Sequence, residues 1–315
     1  MREIGGYLEL EKYHLPMLHE NGVKLDCGRN CLAYLIRSKH IQKLAVPYLL
    51  CDSVFQLCAD YDVFLRFYHV DADLRPEPLE LADDEWLYLV NYYGQIQNQE
   101  ILAYHQRYGR VIVDNVQAYF DEPADGVDTL YSCRKYFGVP DGAVLMTDTL
   151  LEEAFQRGES FMHMEYILGR FEQTASAYYA KSVENNRRFR HTPIKSMSAL
   201  TENLLHSIDY EDVKRRRTEN FSVLSELLGS INELRLQLPQ GAFAYPLLIK
   251  GGAALKKKLI ERKIYVPTLW PNVLQSVPAD WMDYRLADDI LPLPCDQRYG
   301  TEEMKYIGDM ILGSV

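Results

Sequence analysis

Short, nearly continuous apolar runs separated by amphipathic stretches organise the first half of the chain. Residues 43–50 (KLAVPYLL), 62–70 (DVFLRFYHV), 85–93 (EWLYLVNYY) and 109–116 (GRVIVDNV) have strand length and read as buried strands. Residues 128–132 (DTLYS) and 142–148 (GAVLMTD) read as two more. Between them lie helical patterns such as 95–109 (QIQNQEILAYHQRYG), in which Ile101, Leu102 and Tyr108 can share a face. Continuous rather than alternating apolar strands, linked by helices, predict an α/β domain with a parallel or mixed sheet and crossover helices.

The second half differs. From Thr149 to about Leu228 the pattern is nearly all helical, and 161–186 contains no proline and a single glycine. Asp209 is the expected N-cap of a helix that Gly229 ends. The remainder predicts a strand at 243–250, a helix at 253–263, a short strand at 264–266 and a closing helix at 302–312. This division predicts a large domain over 1–208 and a small α+β domain over 209–315.

Composition narrows the partners. The chain has 315 residues, 34 basic and 45 acidic side chains, and a formal net charge of −11. Such a balance argues against a broad nucleic-acid or anionic-membrane surface, although one phosphate needs only a few local donors. The six cysteines form no CxxC pair and no zinc-finger spacing with histidine, so buried free thiols in a reducing compartment are expected, and no metal. No leader pattern and no apolar run of spanning length is seen, which reads as a cytoplasmic protein.

Three elements carry candidate chemistry. Gly28 precedes a helical pattern bearing Leu32, Leu35 and Ile36. A glycine turn into a helix presents free N–H groups at the positive dipole end, which suits a phosphate, and Arg29 and Asn30 add donors. An ordinary helix start fits the same residues. Asp114 ends a continuous apolar strand, where ligands of open α/β sheets bind. A carboxylate there can meet a metal, a ribose hydroxyl or a protonated ring nitrogen, or cap a turn. Gln117 follows within one turn. Lys135 follows another short strand and lies among Tyr131, Cys133, Tyr136, Phe137 and Val139. Apolar surroundings lower a lysine pKa and leave more free amine to attack carbonyls. Ser132 offers a hydroxyl to a phosphate, and Arg134 is either a further donor or a surface charge.

In that order, the three elements match pyridoxal phosphate (PLP) enzymes of the aspartate aminotransferase fold. More specifically, the chain from about Gly22 onward resembles the DegT/DnrJ/EryC1/StrS family of PLP-dependent aminotransferases. The segments that carry the resemblance are CGRNCLAYL (27–35), AVPYLLCDSV (45–54), VNYYGQ (90–95), VIVDNVQAYF (111–120) and YSCRKYFGVPDGAVL (131–145), followed by KRRRTENFSVL (214–224) and LPLPCDQRY (291–299). It implies a three-layer fold-type-I transferase with a mostly parallel sheet and a smaller C-terminal α+β domain. It implies PLP as cofactor, Lys135 as its Schiff-base lysine, Asp114 on the pyridine nitrogen, Gln117 beside the phenolic oxygen and Ser132 on the phosphate. Gly28, Arg29 and Asn30 then form the phosphate loop, with Cys51 and Asn91 also against the cofactor. Cys51 stands where the family often has a stacking aromatic, Asn91 replaces a histidine, and GVPDGA (138–143) replaces a Gly-Glu-Gly-Gly run. The resemblance further implies a homodimer with shared active sites, an amino donor such as glutamate and a keto-sugar acceptor, nucleotide-linked ones included. A fold-type-I lyase or decarboxylase, or a binding protein that keeps the fold without turnover, is the alternative.

Other polar residues have plainer readings. Asn220 or an arginine from 187–190 is a candidate to complete a partner's phosphate pocket, while the run at 214–220 otherwise reads as a solvated helix face. His163 and His191 read as ordinary histidines, Trp270 as a packing anchor, and Arg298 as a carboxylate ligand or a surface ion pair.

Overall fold

The computed structural model describes residues 4–314. Its elements begin β1 (Val23–Leu25), α1 (Gly28–Ser38), β2 (Lys43–Pro47), α2 (Asp52–Asp60), β3 (Phe64–Tyr68) and β4 (Trp86–Val90). They continue with α3 (Asn98–Tyr108), β5 (Val111–Asp114), β6 (Asp128–Ser132), β7 (Ala143–Met146), α4 (Glu165–Glu172), α5 (Tyr179–Arg187) and α6 (Ala199–Leu205). The last are α7 (Tyr210–Leu228), β8 (Tyr245–Leu248), α8 (Gly252–Glu261), α9 (Val273–Ser276), α10 (Met282–Asp289), β9 (Ile290–Leu293) and α11 (Thr301–Leu312).

Among the described residues, seven strands form one sheet in the order β1-β7-β6-β5-β4-β2-β3. Neighbours from β6 through β3 run parallel, and β7 alone runs against both β6 and β1. The central strands are buried along their length because helices cover both faces, which is why they read as apolar runs without alternation. Each fully buried Leu, Ile or Val there contributes about 1.5–3 kcal/mol.

A second apolar centre forms where α7, α8 and α11 cover the two-stranded β8–β9 sheet. Its antiparallel register sets Pro246 opposite Pro292. The segment at 264–266 is not a strand; Ile264 and Val266 are buried as coil in this core, and β9 is the partner that β8 finds instead.

The unbroken helical reading of 161–186 also needs correction. A short turn at Phe161–His163 is followed by α4 and α5, and the chain leaves helical geometry at Gln173 (φ −131°, ψ −111°). Glycine at 169 allows the reversal: a Cβ there would stand 2.3 Å from the Tyr178 ring, which folds back on α4. The Asp209 N-cap forms as expected, its carboxylate accepting from Asp212 N at 3.0 Å.

Candidate active site

The parallel strands deliver their C-terminal ends to one side of the sheet. Asp114 is the last residue of β5, Ser132 the last of β6, and Asn91 follows β4 directly. A 3-10 turn over Cys133–Lys135 then places Lys135 next to these ends.

Asp114 is 5% exposed. Its Oδ2 accepts from the Tyr88 hydroxyl at 2.7 Å and its Oδ1 from Val116 N at 3.0 Å. Burial pushes its pKa up, while the Lys135 ammonium and the two hydrogen bonds pull it back down. Lys135 is exposed along part of its side chain, but protein crowds its amine. Lost hydration lowers its pKa, against the attraction of Asp114. Its Nζ lies 5.6 Å from the Phe243 ring centroid, and Phe243 in turn neighbours Tyr93 and Tyr136. The hydroxyls of Tyr93 and Tyr136 are buried without partners among the described residues. Cys51 caps the start of α2, with Sγ 3.0 Å from Ser53 Oγ, and its sulfur lies within electrostatic reach of Lys135.

The start of α1 rests on the same strand ends. Gly28 faces Val116 and Leu130, and Gly142 N donates to Asp26 O at 2.6 Å, tying the loop before α1 to the turn after Lys135. No side chain caps α1 at Cys27, so its first turn keeps free N–H groups. Ser132 is partly exposed and paired in register with Ala143. In the GVPDGA turn, the wholly buried Asp141 accepts from Ser198 N (3.2 Å), Ser198 Oγ (2.9 Å) and Thr201 Oγ1.

Three of the proposed cofactor ligands are committed elsewhere. Asn91 is fully buried; its Nδ2 donates to Ile96 O and Asn115 Oδ1, and its Oδ1 accepts from Ile96 N at 2.8 Å. It braces its own loop, as a histidine ring could not. Gln117 Oε1 accepts from Tyr93 N at 2.9 Å and holds Tyr93 at φ +55°. Asn30 is 2% exposed and donates to Asp26 Oδ1 at 2.6 Å and to Pro193 O. Asp26 is thereby a buried carboxyl with its pKa pushed up to about 6, burial outweighing the Asn30 bond.

Arg29 reaches Asn186 O at 3.4 Å, and Arg134 bonds Asn186 Oδ1. Arg134 is partly exposed, but its Nε is buried without a partner among the described residues. Arg217 departs from the solvated-face reading in the same way. It is 2% exposed, donates to Gln297 Oε1 (2.7 Å), Ala242 O (2.8 Å) and Tyr136 O (3.1 Å), and stacks on Tyr136. Asn220 Nδ2 is likewise taken up by the carbonyls of Cys295, Asp296 and Tyr299. Arg298 pairs with Asp296, His191 with Asp60, and Trp270 packs edge-on to Tyr92 and Tyr93.

A cavity of about 290 Å³ opens beside the first turn of α1, bounded by Arg29, Gln56, Asp60, Arg190 and His191. Neither Asp114 nor Lys135 lines it. Among the described residues, no cluster of His, Cys, Asp or Glu could hold a metal, and no helix is long and apolar enough to cross a membrane.

The residues fit a phosphorylated pyridine aldehyde. A buried carboxylate, a lysine amine with lowered pKa, an uncapped helix start and a guanidinium with one unpartnered nitrogen lie around the same strand ends. The fold is that of the fold-type-I PLP-dependent aminotransferases. The sugar aminotransferase CalS13 from Micromonospora echinospora is similar with TM-score 0.63 and 14% identity, over 93% of this chain and 87% of that one. A DegT DnrJ EryC1 StrS aminotransferase from Brucella abortus is similar at TM-score 0.61 and 15% identity, over 92% and 85%. Spr1654 from Streptococcus pneumoniae, in its PLP form, gives TM-score 0.64 and 10% identity, over 95% and 91%. No family model and no curated protein matches the sequence.

Proposed function

We propose that this chain is a PLP-dependent aminotransferase of the DegT/DnrJ/EryC1/StrS kind. It would carry an amino group from an amino acid such as glutamate to a keto-sugar, nucleotide-linked sugars included. The observation that carries this reading is that Asp114 ends β5 while Lys135 follows the end of the adjacent parallel strand β6, within electrostatic reach of Asp114. The sugar acceptor rests on the likeness to CalS13.

PLP, when bound, supplies an electron sink for the carbanion formed at the substrate α-carbon. Asp114 would hold the ring nitrogen, its carboxylate oriented by Tyr88 and Val116 N. Lys135 would hold the carbonyl carbon and then, as a free amine, move the proton at the substrate α-carbon. Ser132, Gly28 and Arg29 would receive the phosphate. Gln117 and Asn91 would act by fixing the 91–96 loop.

The functional unit is read as a homodimer. Exposed Phe161, Met162, Leu168, Phe171 and Tyr179 give the 161–179 region an apolar surface suited to a second copy. A division into domains at 208/209 is supported by the second apolar core, to which α7 contributes Phe221, Leu224 and Leu228. Six free cysteines fit a cytoplasmic setting.

An absorbance titration with PLP tests the reading. The wild-type protein should develop the visible band of the lysine-bound cofactor, and Lys135→Ala should not. L-glutamate should then bleach the band with release of 2-oxoglutarate. No band in the wild type overturns the proposal; a band unmoved by every amino donor points to other PLP chemistry.

A further inference from the structure

Lys135 presents its amine to an aromatic face. Its Nζ stands over the Phe243 ring, 5.6 Å from the centroid. Phe243 belongs to the segment between α7 and β8, far from the lysine in sequence. It is partly exposed, while Ala242 and Ala244 on either side of it are buried.

Backbone bonds hold the two partners together. Arg217 Nη1 donates to Ala242 O at 2.8 Å and reaches Phe243 O at 3.5 Å, while its Nη2 donates to Tyr136 O at 3.1 Å. Gln297 Nε2 donates to the same Tyr136 carbonyl at 2.8 Å, and its Oε1 accepts from Arg217 Nε at 2.7 Å. One buried guanidinium thus ties the residue after Lys135 to the residue that bears the ring. On another side, Gln237 N donates to Gln95 Oε1 at 2.8 Å, and Gln95 Nε2 donates to Gln237 O at 3.1 Å. These bonds join the loop of Tyr93 to the segment of Phe243. The rings of Tyr93 and Tyr136 flank Phe243, with centroids at 6.3 and 6.0 Å.

Few charges surround the amine. Lost hydration acts most strongly and disfavours the ammonium; Arg134, in the same turn, adds to that. Asp114 at the end of β5 and Cys51 at the start of α2 favour it. Asp114 is also engaged by the Tyr88 hydroxyl and Val116 N. Burial pushes the phenols of Tyr93 and Tyr136 up, so they stay neutral and add no charge. The face of a phenyl ring is electron-rich, and a lysine ammonium within about 6 Å of its centroid gains more from it as water is excluded.

We infer that Phe243 is a positioning residue for Lys135: its ring face stabilises the ammonium, and so sets how strong a base the amine is. That this strength serves proton transfer at a substrate carbon rests on the reading above; the contact itself does not.

The test is a pH profile of lysine labelling in ligand-free full-length protein. Acylation rates of Lys135 are measured by mass spectrometry from about pH 6 to about pH 11, with the exposed Lys257 as internal reference. Pentafluorophenylalanine at position 243 keeps the shape of the ring and reverses the charge pattern of its face. The Lys135 midpoint should then fall, by a roughly three- to tenfold loss of proton affinity, while that of Lys257 stays. Phe243→Leu should move it the same way, and Phe243→Trp should keep or raise it. A midpoint unmoved by the fluorinated ring overturns the inference, even if the leucine variant shifts, since volume alone would then explain the shift. If the fluorinated protein does not fold, the leucine and tryptophan variants decide, and equal midpoints in the two overturn the inference. Absence of a lysine-bound PLP band would remove the aminotransferase reading and leave these profiles as they are.

Discussion

The phenol of Tyr88, on β4, donates to Asp114 Oδ2 on neighbouring β5 at 2.7 Å, and both side chains are buried. Burial pushes Asp114 up and this bond pulls it down, so the ionised carboxylate depends on the tyrosine. Tyr88→Phe therefore raises the Asp114 pKa further. The acid limb of PLP binding should move to higher pH, and affinity at neutral pH should fall roughly tenfold, the worth of one hydrogen bond to a charge. PLP titrations from pH 5 to pH 8 read both. An unmoved limb would mean that the phenol does not tune the carboxylate.

Asp26 gives the fold a pH dependence of its own. Its folded pKa of about 6 lies above the ordinary carboxyl value. Its contribution to stability is therefore fully present below about pH 4 and is lost as pH rises through 6. Asp26→Asn keeps an acceptor for Asn30 and cannot ionise. Denaturant unfolding should find the variant gaining about 1–3 kcal/mol relative to wild type at pH 7.5, and no advantage at pH 4. Asp121, also pushed up to about 6 by burial, leaves a residual slope of the same sign in the variant.

Lys135 should be the most reactive lysine of the ligand-free protein toward an acylating reagent at pH 8. Its lowered pKa leaves a larger fraction as free amine than at a solvated lysine, and the side chain reaches solvent. Peptide mapping by mass spectrometry ranks the labelling rates. Lys135 labelled no faster than the exposed Lys257 would contradict the lowered value.

Arg217 connects α7 to the site through the carbonyl of Tyr136, the residue after Lys135. Arg217→Met leaves the Ala242 carbonyl and Gln297 Oε1 without this donor, and the Tyr136 carbonyl with Gln297 Nε2 alone. The expected loss is on the order of 2–5 kcal/mol in denaturant unfolding. A loss below about 0.5 kcal/mol, typical of a surface arginine, would contradict the buried role.

The sheet was readable because its strands are buried on both faces and so form solid apolar runs; β1, only three residues long with Lys24 in its middle, left no such trace. The break between α4 and α5 was hidden because it depends on Tyr178 folding onto Gly169, a contact that no local pattern records. The order of Gly28, Asp114 and Lys135 was legible because strand ends fix it. The roles of Asn30, Asn91 and Gln117 were not, since an amide reads the same whether it meets a ligand or a backbone. The burial of Arg217 was missed because charge reads as surface. For Arg217 the signal existed: it lies on the buried stripe of α7 with Val213, Phe221, Leu224 and Leu228, at spacings of four, seven and eleven residues. Arg134, in a three-residue turn, offered no periodicity to read.

Asp141 hangs the turn that follows Lys135 on the first residues of α6, where a pair of glycines would leave it slack. Fixing a backbone residue costs about 1–2 kcal/mol of conformational entropy. With the aspartate in place, that ordering is completed while the chain folds. None of it is deducted from the affinity of an arriving ligand, and the lysine waits on a frame that is already still.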